Sequence, residues 1–113
     1  MIDSYSFGRI VVDGQPYERD LLIFPDRVVP DWWRVEGHEV AVTDLDEVWA
    51  DPPEVLVVGT GRYGRVSVLP ETEEMLEERG VQLIAQPTKS ACQTFNQMAS
   101  GDRRVVAALH LTC

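Results

Sequence analysis

The residues of this chain best equipped for chemistry fall into four groups. They are the glycine-rich run Gly59-Thr60-Gly61-Arg62-Tyr63-Gly64, the triplet Trp32-Trp33-Arg34, the late pair His110 and Cys113, and the glutamate-rich stretch from Glu71 to Glu78. The glycine run has the spacing G-x-G-x-x-G directly after the apolar segment Val55 to Val58. In a dinucleotide-binding fold the third glycine opens a helix whose N-terminus receives the pyrophosphate. Here Arg65 to Leu69 intervene before a helix can start at Pro70, and that helix begins with carboxylates where phosphate would sit. The next strand ends in Gln86 and not in an acid, so the dinucleotide reading fails on mechanism. What remains is a turn that needs glycine for positive φ or close packing. A weaker functional version also survives. Loops at the carboxyl ends of parallel strands line crevices, and a helix N-terminus attracts anions. Gly59, Thr60, Gly61, Arg62 and Thr88 are therefore the candidate small-anion site.

Trp32-Trp33-Arg34 is the most unusual local feature. Neighbouring residues of an extended chain point to opposite sides, so one tryptophan can fill the core while the other faces outward. An exposed tryptophan beside arginine has the composition of an interface anchor. Trp32, Trp33 and Arg34 are the candidate partner-binding residues. His38 lies in a turn beside Glu36 and Glu39 and reads as solvated. A His110/Cys113 pair would suit an activated thiolate, but residues three apart in a strand project to opposite faces. Cys92 falls on the apolar stripe of a helix and reads as an inert core thiol. Two histidines and two cysteines, with no CxxC, HxH or HExxH spacing, supply no metal site. The Glu71 to Glu78 cluster is the polar face of an amphipathic helix, with Thr72, Met75 and Leu76 inward. A solvated face supplies neither the pocket nor the desolvation that paired catalytic carboxylates need. No catalytic residue is assigned.

The elements that must position these residues divide into two halves. Tyr5 to Val12 is aromatic and β-branched, with a change of in/out parity at Gly8 that suggests a bulge. Asp13-Gly14 is a tight-hairpin signal. Asp20 to Phe24 is a strand stopped by Pro25-Asp26, and Val28 to Trp33 is an irregular run interrupted by Pro30. Glu39 to Val42 is a short strand, and Thr43 is placed to cap a helix with Leu45, Val48 and Trp49 on one face. In the second half Val55 to Val58, Val81 to Ala85 and Val105 to Leu111 read as buried strands. The helices between them run from Pro70 to Gly80, and from a Thr88 cap to Gly101 with Ala91, Cys92, Phe95 and Met98 inward. Strand–helix–strand–helix–strand argues for a partly parallel sheet with helices against it. The expected fold is α/β and three-layered: a central mixed β-sheet flanked by helices, with an additional N-terminal β-hairpin layer.

Length and charge bound the rest. At 113 residues, with no linker or repeat, residues 1–113 read as one domain. A formal net charge of −9 with scattered Lys and Arg argues against nucleic acid. No basic amphipathic face for anionic lipid, membrane-length apolar run or signal-peptide pattern is visible. Two cysteines in such a chain read as reduced, and the expected location is cytoplasmic.

Several segments together resemble a known family. Phe7-Gly8, Phe24-Pro25, Trp33-Arg34, Val57-Val58-Gly59-Thr60-Gly61, Thr88 with Ala91-Cys92 and Phe95-Asn96, and Ala108-Leu109-His110-Leu111-Thr112-Cys113 occur in that order. They resemble the small single-domain family, long catalogued as of unknown function, that includes the mitochondrial complex I assembly factor 3 and the vertebrate adipogenesis-associated protein. The resemblance runs from about Tyr5 to Cys113. It implies a three-layer fold around a mixed sheet and no assumed enzymatic activity, and the mitochondrial member implies a part in protein assembly. The His-x-Thr-Cys ending is like the prokaryotic and adipogenesis-associated branches. The expected function is a non-catalytic protein-binding or assembly module with a protein partner, no cofactor and no metal. A small anionic ligand at residues 59–64 and 87–88 is the alternative, and edge-strand pairing would permit a homo-oligomer.

Overall fold

The computed structural model describes all 113 residues. Its centre is a five-stranded sheet in the order β5-β4-β10-β7-β9, made of β4 (Leu21–Ile23), β5 (Val28–Pro30), β7 (Val55–Thr60), β9 (Gln82–Gln86) and β10 (Val105–His110). The strands β10, β7 and β9 are mutually parallel, while β4 and β5 run antiparallel. The connections are helical: α2 (Pro70–Glu78) links β7 to β9, and α3 (Thr88–Ala99) links β9 to β10. The first crossover steps outward from β7 and the second steps back past it. Right-handed crossovers in opposite directions must lie on opposite faces, and α2 and α3 do.

Side-chain alternation along the strands then builds two cores. Leu21, Ile23, Val55, Val57, Val105, Ala107 and Leu109 face Ala91, Cys92 and Phe95 of α3. Ile2, Ile10 and Val12 complete that core from an antiparallel sheet of β1 (Ile2–Ser6), β2 (Arg9–Val12) and β3 (Gln15–Tyr17). Leu22, Leu56, Val58, Val106 and Ala108 point the other way, onto Leu76 of α2, Val48 of α1 (Asp46–Ala50), Leu45 of the 3₁₀ turn Val42–Leu45, and Trp32. A parallel two-stranded ribbon, β6 (Glu39–Val40) with β8 (Ser67–Val68), adds Val40 to this side. Every residue of β7 and β10 is buried, as their unbroken apolar runs require of strands covered on both faces. The architecture is the three-layered mixed-sheet α/β fold expected from the sequence, with the N-terminal hairpins as the added β layer.

Three local expectations are corrected. Gly8 is not a bulge: with φ +75 it sits in the tight turn between β1 and β2, and the ladder irregularity falls between Ile2 and Ser4. The parity change at Gly8 is that of a chain reversing. Asp13-Gly14 is the second hairpin turn, with both residues at positive φ (49 and 81). Thr43 does not cap; the carboxylate of Asp44 does, accepting the Ala41 N–H at 2.7 Å. Thr88 is the first residue of α3 but makes no bond to that helix's amides; its hydroxyl serves the sheet instead.

Candidate functional site

β7 and β10 are neighbouring parallel strands, and α/β sheets form their crevices outside the carboxyl ends of such strands. The residues at that end are His110, closing β10, and Thr60, closing β7. Because β4 is antiparallel, with Leu21 opposite Leu109, its first end lies there too and brings Asp20 beside His110.

Asp20 is the hub. Its Oδ2 lies 2.7 Å from His110 Nδ1, and its Oδ1 accepts the Leu111 N–H at 2.8 Å. Arg34 Nη1 stands 2.9 Å from the same Oδ2 but off the hydrogen-bonding line, so that contact is an ion pair. His110 Nδ1 also lies 3.0 Å from Arg34 Nη2. A carboxylate only accepts and a guanidinium only donates, so the shorter Asp20 contact assigns the Nδ1 proton toward Asp20 and leaves the Arg34 approach without a hydrogen bond. Burial alone would raise the Asp20 pKa. The His110 bond, the Leu111 amide, the charge of His110 and Arg34 outweigh burial and hold it below the usual carboxylate range. The Arg34 side chain is only 5% exposed and that of His110 10%.

The segment that delivers Arg34 is held at almost every residue. Pro30 ends β5, and Asp31 turns the chain with a positive φ of 57. The Trp32 N–H then donates to the Asp20 carbonyl at 2.8 Å, and its indole N–H to the Asp44 carbonyl at 2.7 Å. The Arg34 guanidinium lies 4.7 Å over the Trp32 ring and donates through Nη2 to the Gly37 carbonyl at 2.9 Å. Val35 N–H donates to Asp44 Oδ1 at 3.1 Å. Between these fastenings Trp33 projects outward, 74% exposed against 7% for Trp32. Beside it a cleft of about 360 Å³ is lined by Glu18, Arg19, Asp31, Trp33 and Thr112, with Asp20, Arg34 and His110 beneath.

The glycine run meets this network from the other side. A Cβ on Gly61 would stand 2.9 Å from both His110 Cδ2 and the Thr112 carbonyl oxygen, and φ there is +97. Gly61 N–H donates to Thr88 Oγ1 at 2.8 Å, and the Thr88 hydroxyl donates to the His110 carbonyl at 2.5 Å. Thr88 N–H returns to the Gly61 carbonyl, and Arg62 N–H donates to the Thr112 carbonyl. Gly59 is tight as well, with a hypothetical Cβ 2.8 Å from Leu109 Cδ2. The amides of Gly61 and Arg62, and the hydroxyl of Thr88, are thus engaged within the chain.

The family follows from comparison with known sequences. Residues 2–110 match a family model described as a protein of unknown function, DUF498/DUF598. The chain belongs to the DUF498/DUF598 family. Among relatives, the NADH dehydrogenase [ubiquinone] 1 alpha subcomplex assembly factor 3 of Danio rerio is 34% identical, aligned over 96% of this chain and 63% of that protein. This DUF498/DUF598 chain therefore spans about three-fifths of the length of the curated relatives it matches. Among solved structures, a conserved hypothetical protein of Pyrococcus horikoshii has a TM-score of 0.84 at 29% identity, covering 100% of this chain and 99% of that one. A Bordetella parapertussis protein has a TM-score of 0.83 at 31% identity, covering 98% and 94%.

The structure sorts this DUF498/DUF598 chain's candidates by position. Trp32 and Arg34 lie inside and Trp33 outside. The glycine run and the Trp-Trp-Arg triplet, distant in sequence, adjoin through His110. Asp20 and Asp44, which hold the site together, carried no motif. The only local sign of Asp20 was a carboxylate immediately before Leu-Leu-Ile-Phe. His110 Nε2, the atom that would activate a nucleophile, is buried and makes no hydrogen bond. The Asp20–His110–Arg34 cluster ties the Trp32–Arg34 segment to the sheet. Cys92 is buried, and burial pushes its thiol pKa up to about 12, whereas Cys113 is exposed. No helix is long and apolar enough to cross a membrane.

Proposed function

We propose that this chain is a protein-binding module of the assembly-factor kind, with Trp33 as the anchor that enters its partner. The observation that carries the reading is the rigid presentation of one exposed indole. Its neighbours are fixed by a buried hydrogen bond at Trp32, a half-buried one at Val35 and the Arg34 ion pair, while Trp33 itself makes none. A large apolar side chain held out on an immobile segment loses little conformational entropy on docking, and tryptophan is enriched among interface hot spots. The relatives named as assembly factors support the same reading. Trp32 and Arg34 act from behind, by setting the direction of Trp33.

Affinity capture from the source organism's lysate, read by quantitative mass spectrometry, compares wild type with Trp33→Ala. Hot-spot truncations cost about 2 kcal/mol or more, so a partner held by Trp33 should bind about thirtyfold more weakly. If every partner of the wild type stays on a folded Trp33→Ala protein, the anchor assignment fails.

A further inference from the structure

The two larger sheets have four edges, and three of them are guarded. The β3 edge contains Pro16, and the β5 edge ends in Pro30 between Arg27 and Asp31. The β1 edge is closed by Asn96, whose side chain accepts the Ile2 N–H and donates to the Ile2 carbonyl, each at 2.8 Å. Proline, charge and covering groups are the usual ways to stop a sheet from accepting another strand. On the β9 edge only the end side chains are touched from outside, Gln82 by Arg103 and Gln86 by Thr94, and no group covers the backbone between them. The β9 sequence, Gln82-Leu83-Ile84-Ala85-Gln86, holds no charge, proline or glycine.

Its open groups can be named. Gln82 N–H donates to the Glu54 carbonyl, on the stretch leading into β7. In a parallel ladder the N–H and C=O of one residue point to the same neighbour and those of the next point away. Gln82, Ile84 and Gln86 therefore pair with β7, and the backbone groups of Leu83 and Ala85 point out where no strand follows. Leu83 and Ile84 remain half-buried, with room for a further apolar layer. On the face of Leu83, Glu73 and Glu77 of α2 border a groove of about 450 Å³ with Val81, Gln82 and Leu83. None of the five α2 glutamates has an ion-pair partner in the chain.

We infer that β9 is a second docking edge, which accepts an extended, basic segment of a partner protein as a sixth strand. Such a segment would bond to Leu83 and Ala85, lay apolar side chains beside Ile84, and direct alternate Lys or Arg side chains to Glu73 and Glu77. A second copy of this chain fits less well. Antiparallel β9–β9 pairing about a twofold axis would set two α2 helices side by side on one face, glutamates against glutamates. The inference does not rest on Trp33, which borders the cleft over Asp20 and His110 at the end of β4 and β10.

The probe is a fluorescein-labelled heptapeptide of alternating Lys and Val, with a Glu–Val peptide as control. Anisotropy gives affinity, and amide hydrogen exchange by NMR reads the bonding pattern. The expected result is binding of the Lys–Val peptide alone, with new protection at Leu83 and Ala85 and affinity falling as salt rises. Glu73→Lys/Glu77→Lys should weaken binding about tenfold, Ala85→Pro should abolish it, and Trp33→Ala should leave it unchanged. N-methylating alternate residues of the peptide breaks the same ladder without altering the protein, and so holds even if Ala85→Pro fails to fold. Equal binding of the two peptides, indifference to N-methylation, protection elsewhere than β9, or a β9-mediated dimer by light scattering would each overturn the inference.

Discussion

Replacing Asp20 by asparagine keeps the side chain's shape and its capacity to accept the Leu111 N–H, but removes the charge that Arg34 and His110 face. Arg34, at 5% side-chain exposure, would then be a buried cation without a counter-charge. Breaking one partner out of a fully buried pair costs about 3–5 kcal/mol. Asp20 retains 17% exposure, which admits some solvent, so about 2–4 kcal/mol is the expected loss. For a chain of this length that is a Tm drop of roughly 8–16 °C at pH 7. The pH dependence has a definite sign. Because the folded pKa of Asp20 lies below its unfolded value, its contribution is complete above the unfolded pKa of about 3.9 and drains as pH falls toward the folded value. The gap between wild type and Asp20→Asn, followed by differential scanning calorimetry, should hold from pH 7 to about 5 and close below about 4. Equal Tm values at pH 7, or a gap that persists unchanged to pH 3, would refute this role of Asp20.

Other consequences of the same geometry can be measured alongside it. Gly61→Ala meets both a positive φ and a clash at 2.9 Å, whereas Gly14→Ala meets positive φ in open space; urea titration should show a loss of about 1 kcal/mol for the second and at least 2 for the first. Thr88→Val leaves the Gly61 N–H and the His110 carbonyl without their shared hydroxyl, and should cost about 2–3 kcal/mol, while Thr88→Ser should recover most of it. With the Cys92 thiol pushed up to about 12 and buried, a thiol-disulfide reagent at pH 8 should titrate Cys113 in the native protein and reach Cys92 only in denaturant.

Periodicity carried the fold's outline because burial writes itself locally. Val55 to Val58 and Val105 to Leu109 are apolar without interruption since helices or sheet cover both their faces. Alternation likewise separated the fates of Trp32 and Trp33. The hairpin at Gly8 was hidden, because a parity change looks the same for a bulge and for a reversal. The Asp20–His110–Arg34 cluster was less legible still. Asp20 and His110 meet only through the pairing of Leu21 with Leu109, and nothing local in either segment specifies that register. The glycine types at 59 and 61 announced crowding, but not that Thr88 and His110 supply it. Sequence pattern reports how a residue meets solvent; it says little about which distant residue it meets.

The position of β10 has a bearing on how the chain is made. It is the last strand of the fold, yet it lies in the middle of the central sheet, between β4 and β7. On the ribosome, Leu21 to Phe24 emerge early and must wait for Ala107 to Leu109 before their edge is covered. At usual rates of elongation that wait is on the order of ten seconds. During it β4 has β5 on one edge and nothing on the other, so nascent chains are most exposed to mispairing just before synthesis of β10. A chain arrested anywhere before residue 105 lacks the strand that joins the two halves of the sheet. Such fragments should be substrates for holding chaperones and proteases, and none should accumulate as a folded N-terminal half.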